Sequence, residues 1–163
     1  MTSKDIDEQP TAAEPGAEAP DLRSFAVELR RMTGEVNALV HGFAAAQHLH
    51  PTDVQALAAV LDADSPMTPT KLRQRLGLTS GAVTACLDRL ERAGHVTRVR
   101  DSRDRRVVHV RYLAPARLVA REHFLPLAEA TRRALRQFSP EEQDLALRFL
   151  GALNEELGRV SED

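Results

Sequence analysis

Between Thr68 and Gly94 the sequence marks out two helices with almost no chain between them. Thr68-Pro69 is a helix start: a hydroxyl suited to cap the first free N–H groups, then proline where its missing N–H is no loss. Leu72 and Leu76 give this short helix one buried face, and Gly77 ends it. Thr79 caps a second helix whose apolar face is Val83, Cys86, Leu87 and Leu90, and Gly94 supplies the left-handed residue that stops it. A turn as short as Gly77-Leu78 makes the two helices cross steeply, which is helix-turn-helix logic with the second helix left free on one side.

The next segment decides what that free face meets. Val96–Arg100 and Arg106–Leu113 are short and β-branched, so they predict a two-stranded hairpin. Its tip is Asp101-Ser-Arg-Asp-Arg-Arg. From Arg92 to Arg111 there are seven Arg and two Asp, a local net of +5 in a chain whose total is −2. Residues 1–21 and 139–163 each carry −5, so the basic excess is segregated between Arg92 and Arg136. A basic tip on a mildly acidic chain points to a phosphate-rich partner; a solvated turn is the plain alternative. Arg103, Arg105 and Arg106 at such a tip suit the negative potential of a minor groove. The second helix opens with small residues: Thr79, Ser80, Gly81, Ala82, Thr84 and Ala85. Small side chains bring a helix N-terminus close to base edges, while hydroxyls and free N–H groups donate to phosphate. The competing explanation is that they only allow packing against the preceding helix.

On either side lie longer helices. Apolar residues fall at 22, 25, 29, 32, 36, 39 and 43, a seam of alternating three and four spacing that packs along another helix, in the same chain or a second copy. Thr52-x-x-Gln55 predicts a capping box opening a helix through Leu61. After Pro115 helical spacing returns through Leu118, Leu125, Leu127 and Leu135, with Pro126 expected to kink or divide it. Ser139-Pro140-Glu141-Glu142 opens a last helix, with Leu145, Phe149, Leu150, Leu153 and Leu157 as its expected buried positions. The expected architecture is mainly α: about six helices plus the two-stranded hairpin. Residues 1–20, rich in Ala, Pro, Glu and Thr, predict a disordered acidic tail.

Several functions are disfavoured. One Cys excludes a disulfide framework within the chain, and its position on an apolar helix face predicts a small core residue. No N-terminal stretch runs basic then apolar, and the longest uncharged run, Val36 to Thr52, is too short and polar to span a bilayer; a soluble cytoplasmic protein is expected. No phosphate loop, His-Glu-x-x-His or Gly-x-Ser-x-Gly occurs, so neither an enzyme nor a bound cofactor is expected. His41, His48 and His50 are not at a tight ligand spacing, and no metal is expected there. With no Trp and one Tyr there is no stacking platform for single strands.

Four segments together resemble the MarR family of winged helix-turn-helix regulators: Thr68-Pro-Thr-Lys-Leu-Arg-Gln-Arg-Leu-Gly-Leu, Ser80-Gly-Ala-Val-Thr, Leu87-Asp-Arg-Leu-Glu-Arg-Ala-Gly-His-Val and Asp101-Ser-Arg-Asp-Arg-Arg. The resemblance implies a homodimer: residues 21–50 and 114–163 dimerising, residues 51–113 binding DNA. It implies that Arg103 enters a minor groove, oriented by an ion pair with Asp101. Ser80, Gly81, Thr84 and Ala85 would form the major-groove face, with Thr68, Thr70 and Lys71 on phosphates. Ala85 departs from relatives that carry a long polar residue there, which shifts readout toward shape or toward Arg89. It also implies a crevice, with His41 and His48 as candidate lining residues, for a small aromatic acid or other amphipathic effector. The expected function is a repressor on a roughly palindromic operator, released by that effector; a winged-helix module for protein contact is the alternative.

Overall fold

The computed structural model describes residues 21–160. The expected tail, residues 1–20, lies outside them. The chain divides into two compact units, one ending at Glu35 and one beginning at Val36.

The first unit holds the opening turns of α1 (Leu22–Ala46). Asp21 caps it, its carboxylate accepting the Ser24 N–H at 2.8 Å. Three residues of the expected seam, Leu22, Phe25 and Met32, are exposed.

The second unit continues α1 and adds α2 (Pro51–Leu61), α3 (Pro69–Leu76), α4 (Ser80–Arg92), β1 (Val96–Arg100), β2 (Val108–Tyr112), α5 (Ala114–His123), α6 (Leu125–Leu135) and α7 (Pro140–Val160). Its core gathers Phe43 of α1, Val54 and Leu57 of α2, Leu72 of α3, Val83, Leu87 and Leu90 of α4, and Val96 and Val110 of the hairpin. Each buried Leu or Phe contributes about 1.5–3 kcal/mol, so α2, α3, α4 and the hairpin form one tightly held lobe. The strands pair antiparallel from Val96 opposite Tyr112 to Arg100 opposite Val108. A bridge from Met67 to Val110 joins the hairpin to the segment that enters α3.

Three expectations change. Helix α2 starts at Pro51, capped by His50, whose N–H donates to Asp53 at 2.9 Å; the Thr52/Gln55 box does not form. Proline at the first helical position wins, which starts the helix two residues earlier than a Thr52 cap would. The helix count rises from about six to seven among the described residues, because Pro126 takes the dividing course of the two expected: α5 ends and α6 begins at Phe124. In α7 none of the expected buried positions is buried; Leu145, Phe149, Leu150 and Leu157 are exposed and Leu153 is half-buried. An amphipathic stripe shows that a helix has a face to cover, not which surface covers it.

Candidate nucleic-acid interface

Local chemistry sets the helix-turn-helix as its punctuation predicts. Thr68 Oγ1 accepts the Lys71 N–H at 3.2 Å, and Thr79 Oγ1 accepts the Ala82 N–H at 3.2 Å. Gly77 sits at φ 63°, a conformation that costs a residue with a Cβ and lets its N–H close the end of α3. Helix α4 turns Val83, Cys86, Leu87 and Leu90 inward. Ser80, Gly81, Ala82, Thr84 and Ala85 are consequently exposed together. The Thr84 hydroxyl donates to the Ser80 carbonyl at 3.0 Å, so that donor is already engaged. Lys71 stands beside the start of α3, its Nζ donating to Ser65 Oγ at 3.0 Å and Pro66 O at 3.4 Å. Thr70 is exposed on the same turn.

The hairpin tip is ordered by Asp101, though not through an ion pair with the Arg103 side chain. Asp101 Oδ1 accepts the backbone N–H groups of Arg103 and Asp104 at 2.7 and 3.0 Å, and Oδ2 accepts His109 Nε2–H at 2.9 Å. The Asp104 N–H, His109 and the Arg103 N–H, in that order, hold the Asp101 carboxyl down at about 2. A carboxylate two residues from a turn closes an Asx loop more readily than it reaches a side chain at the tip. Arg103 and Arg105 therefore extend from the tip with no side-chain partner among the described residues, and Arg106 only approaches Asp104 at 3.9 Å.

Arg98, absent from the residues expected on sequence grounds, binds the hairpin to α4. Its guanidinium donates to Asp88 at 2.7 Å and to Glu91 at 2.9 Å. The signal was available: strand alternation places Arg98 on the same side as buried Val96. Arg89 is likewise turned inward. Its Nε and Nη2 donate to Asp53 of α2 at 2.9 and 2.7 Å, and Asp53 is fully buried. Burial alone would raise the Asp53 carboxyl; Arg89, the His50 N–H and the Cys86 thiol outweigh it and hold it below its usual value. Cys86 is buried as expected, and burial followed by Asp53 pushes its thiol up to about 12, which makes it inert at neutral pH.

A cavity of about 810 Å³ opens within the second unit, walled by Val36, Val40 and Phe43 of α1, Leu57 of α2, Leu118 of α5, and Phe124 between α5 and α6. Its polar groups come from Gln55, Tyr112, Arg117 and Arg121. His41 and His48 are not among its walls; both are exposed, and His41 Nδ1 bonds the Asn37 carbonyl of its own helix at 2.7 Å. The missed signal is Arg117 and Arg121 four apart on α5, bracketing Leu118 on one helical face. No group of three or more His, Cys, Asp or Glu placed to hold a metal occurs among the described residues.

Two helices crossing at a short turn, the second with a bare face, followed by an arginine-tipped hairpin, define a winged helix-turn-helix protein. The MarR-family model matches residues 49–107. An HTH-type transcriptional regulator of Bacillus subtilis, YcgE, is 38% identical over 147 residues, covering 87% of this chain and 95% of the relative. YetL, an HTH-type transcriptional repressor of the same organism, is 30% identical over 144 residues, covering 86% and 84%. The crystal structure of Streptococcus pneumoniae FabT in complex with DNA aligns with a TM-score of 0.62 at 25% identity, covering 86% of this chain and 99% of that one. The chain belongs to the MarR family of transcriptional regulators. No helix among the described residues is long and apolar enough to cross a membrane.

Proposed function

We propose that this chain is a homodimeric, sequence-specific binder of double-stranded DNA that represses transcription and is released by a small-molecule effector. The carrying observation is the exposed small-residue face of α4 beside a hairpin whose Arg103 and Arg105 side chains are unengaged. In this reading Ser80, Gly81, Thr84 and Ala85 face the major groove, with Thr79 at the helix start. Arg103 enters the minor groove, Arg105 and Arg106 flank it, and Thr68, Thr70 and Lys71 hold phosphates. Asp101 acts through the backbone, fixing the loop from which Arg103 projects. The DNA complex of FabT and the repressor YetL are the relatives that favour this reading.

The exposed apolar positions of α7, Leu145, Leu147 and Leu150 among them, supply a surface for a second copy. The cavity suits an amphipathic acid: an apolar body against Phe43, Leu57 and Phe124, its carboxylate toward Arg117 or Arg121. The same α2 lines the cavity and packs on α4, so an occupant that displaces α2 favours dimers whose recognition helices no longer match the operator.

The test is selection of duplexes from a random pool by the purified protein, then binding to the selected sequence. Expected are an inverted repeat with half-sites about 10 bp apart and affinity that falls steeply with salt. A protein that retains no duplex at low ionic strength would instead be a winged-helix module for protein contact.

A further inference from the structure

We propose that the Asp53–Arg89 pair is the strut that sets the pose of α4, and that Arg89 is a positioning residue rather than a reader of bases. The inference rests on the proposed reading that α4 addresses the duplex. From sequence Arg89 belongs with the DNA contacts, because it follows Ala85 by one turn. The geometry points elsewhere. Arg89 also follows Cys86 by three residues, at the border of the buried face, and its guanidinium turns to that side. There it meets a carboxylate with no exposure at all, which it grips with two parallel donors.

The remaining capacity of that carboxylate is also used. Asp53 Oδ2 takes both the Arg89 Nε–H and the His50 N–H that caps α2, each at 2.9 Å. Withdrawing Arg89 to meet a phosphate would leave a buried charge without its counter-charge, which is strongly unfavourable. The pair therefore holds when the protein docks.

Its position gives it leverage. Arg89 lies in the last turn of α4, while the exposed small residues lie in the first two. At 1.5 Å of rise per residue, Ser80 is roughly 13 Å from Arg89 along the axis, so a 10° tilt about the strut moves Ser80 by roughly 2 Å. A hydrogen bond to a base edge tolerates only a few tenths of an ångström. Losing the strut should thus weaken operator binding without removing any contact to DNA.

The experiment compares the wild-type protein with Arg89→Met, Asp53→Asn and the double variant. Each is titrated against the duplex selected by the wild type, at several salt concentrations and well below its unfolding temperature. Expected are a loss of affinity of about tenfold in each single variant, no further loss in the double, and an unchanged slope of affinity against salt. Single variants that unfold at lower temperature yet bind like the wild type would reduce the pair to a stabilising contact and overturn the proposal. Weakened binding by Arg89→Met with a slope lower by about one, alongside undiminished binding by Asp53→Asn, would make Arg89 a direct contact and overturn it too. Should Asp53→Asn not fold, Arg89→Met decides through the slope. A wild-type protein that selects no duplex would overturn the reading beneath the proposal, which is distinct from variants that match a wild type that binds.

Discussion

Two regions of the second unit carry similar apolar stripes and use them oppositely. The lobe of α2, α3, α4 and the hairpin buries Leu72, Leu87, Leu90 and Val96 almost completely. Helices α6 and α7 bury no residue, and α7 leaves Leu147 and Val160 more than two-thirds exposed. The difference lies in what each stripe meets: the lobe's stripes face one another, whereas Leu145, Leu147 and Leu150 of α7 stay exposed among the described residues. The lobe's core is thereby closed on itself, and in the proposed reading the C-terminal helices take their cover from a second copy.

The largest expected effect is in the lobe. Leu90→Ala should cost roughly 2–5 kcal/mol of stability, the same at every protein concentration in thermal or urea unfolding. A loss that depended on concentration would break the contrast. Next in size, Leu150→Asp on α7 should convert a dimer to a monomer in sedimentation and abolish the concentration dependence of unfolding, while leaving the lobe folded by circular dichroism. At the exposed tip, Arg103→Ala should weaken operator binding by roughly 1–3 kcal/mol with no change in unfolding temperature. An unchanged gel shift at moderate salt would remove the wing from recognition.

The smallest effect is a pH dependence confined to the lobe. Burial lowers His95 below the usual 6.5, so the unfolded chain binds its proton first. Stability should therefore be intact above pH 6.5 and decline as pH falls below it, a slope that His95→Gln should flatten. Asp101 behaves as a depressed acid: its contribution is present above about pH 4 and lost as pH falls through about 2. NMR titration of its carboxyl checks this directly.

The parts legible in sequence are those set within a few residues. Thr68, Thr79, Gly77 and Gly94 each act on neighbours, and each stands where its chemistry predicts, with Gly77 and Gly94 at positive φ. Cys86 followed from helical period alone. The parts not legible depend on distance along the chain. Asp53 and Arg89 are 36 residues apart, and no local pattern pairs them. The His50 cap was hidden because Thr52-x-x-Gln55 offers a plausible competitor two residues later. Asp101 and Arg103 looked like an ion pair because their charges are opposite; the backbone N–H groups lay nearer. The cavity is assembled from α1, α2 and the length of α5, so its Arg117 and Arg121 acquire meaning only once those helices pack.

In the proposed reading two copies of this fold grip one duplex. Sedimentation of the purified protein with the selected inverted-repeat duplex, at low and moderate salt, tests it most directly. Two chains per duplex, with binding lost when the half-site spacing is changed by half a helical turn, is the predicted result. One chain per duplex, or no complex even at low salt, would contradict it.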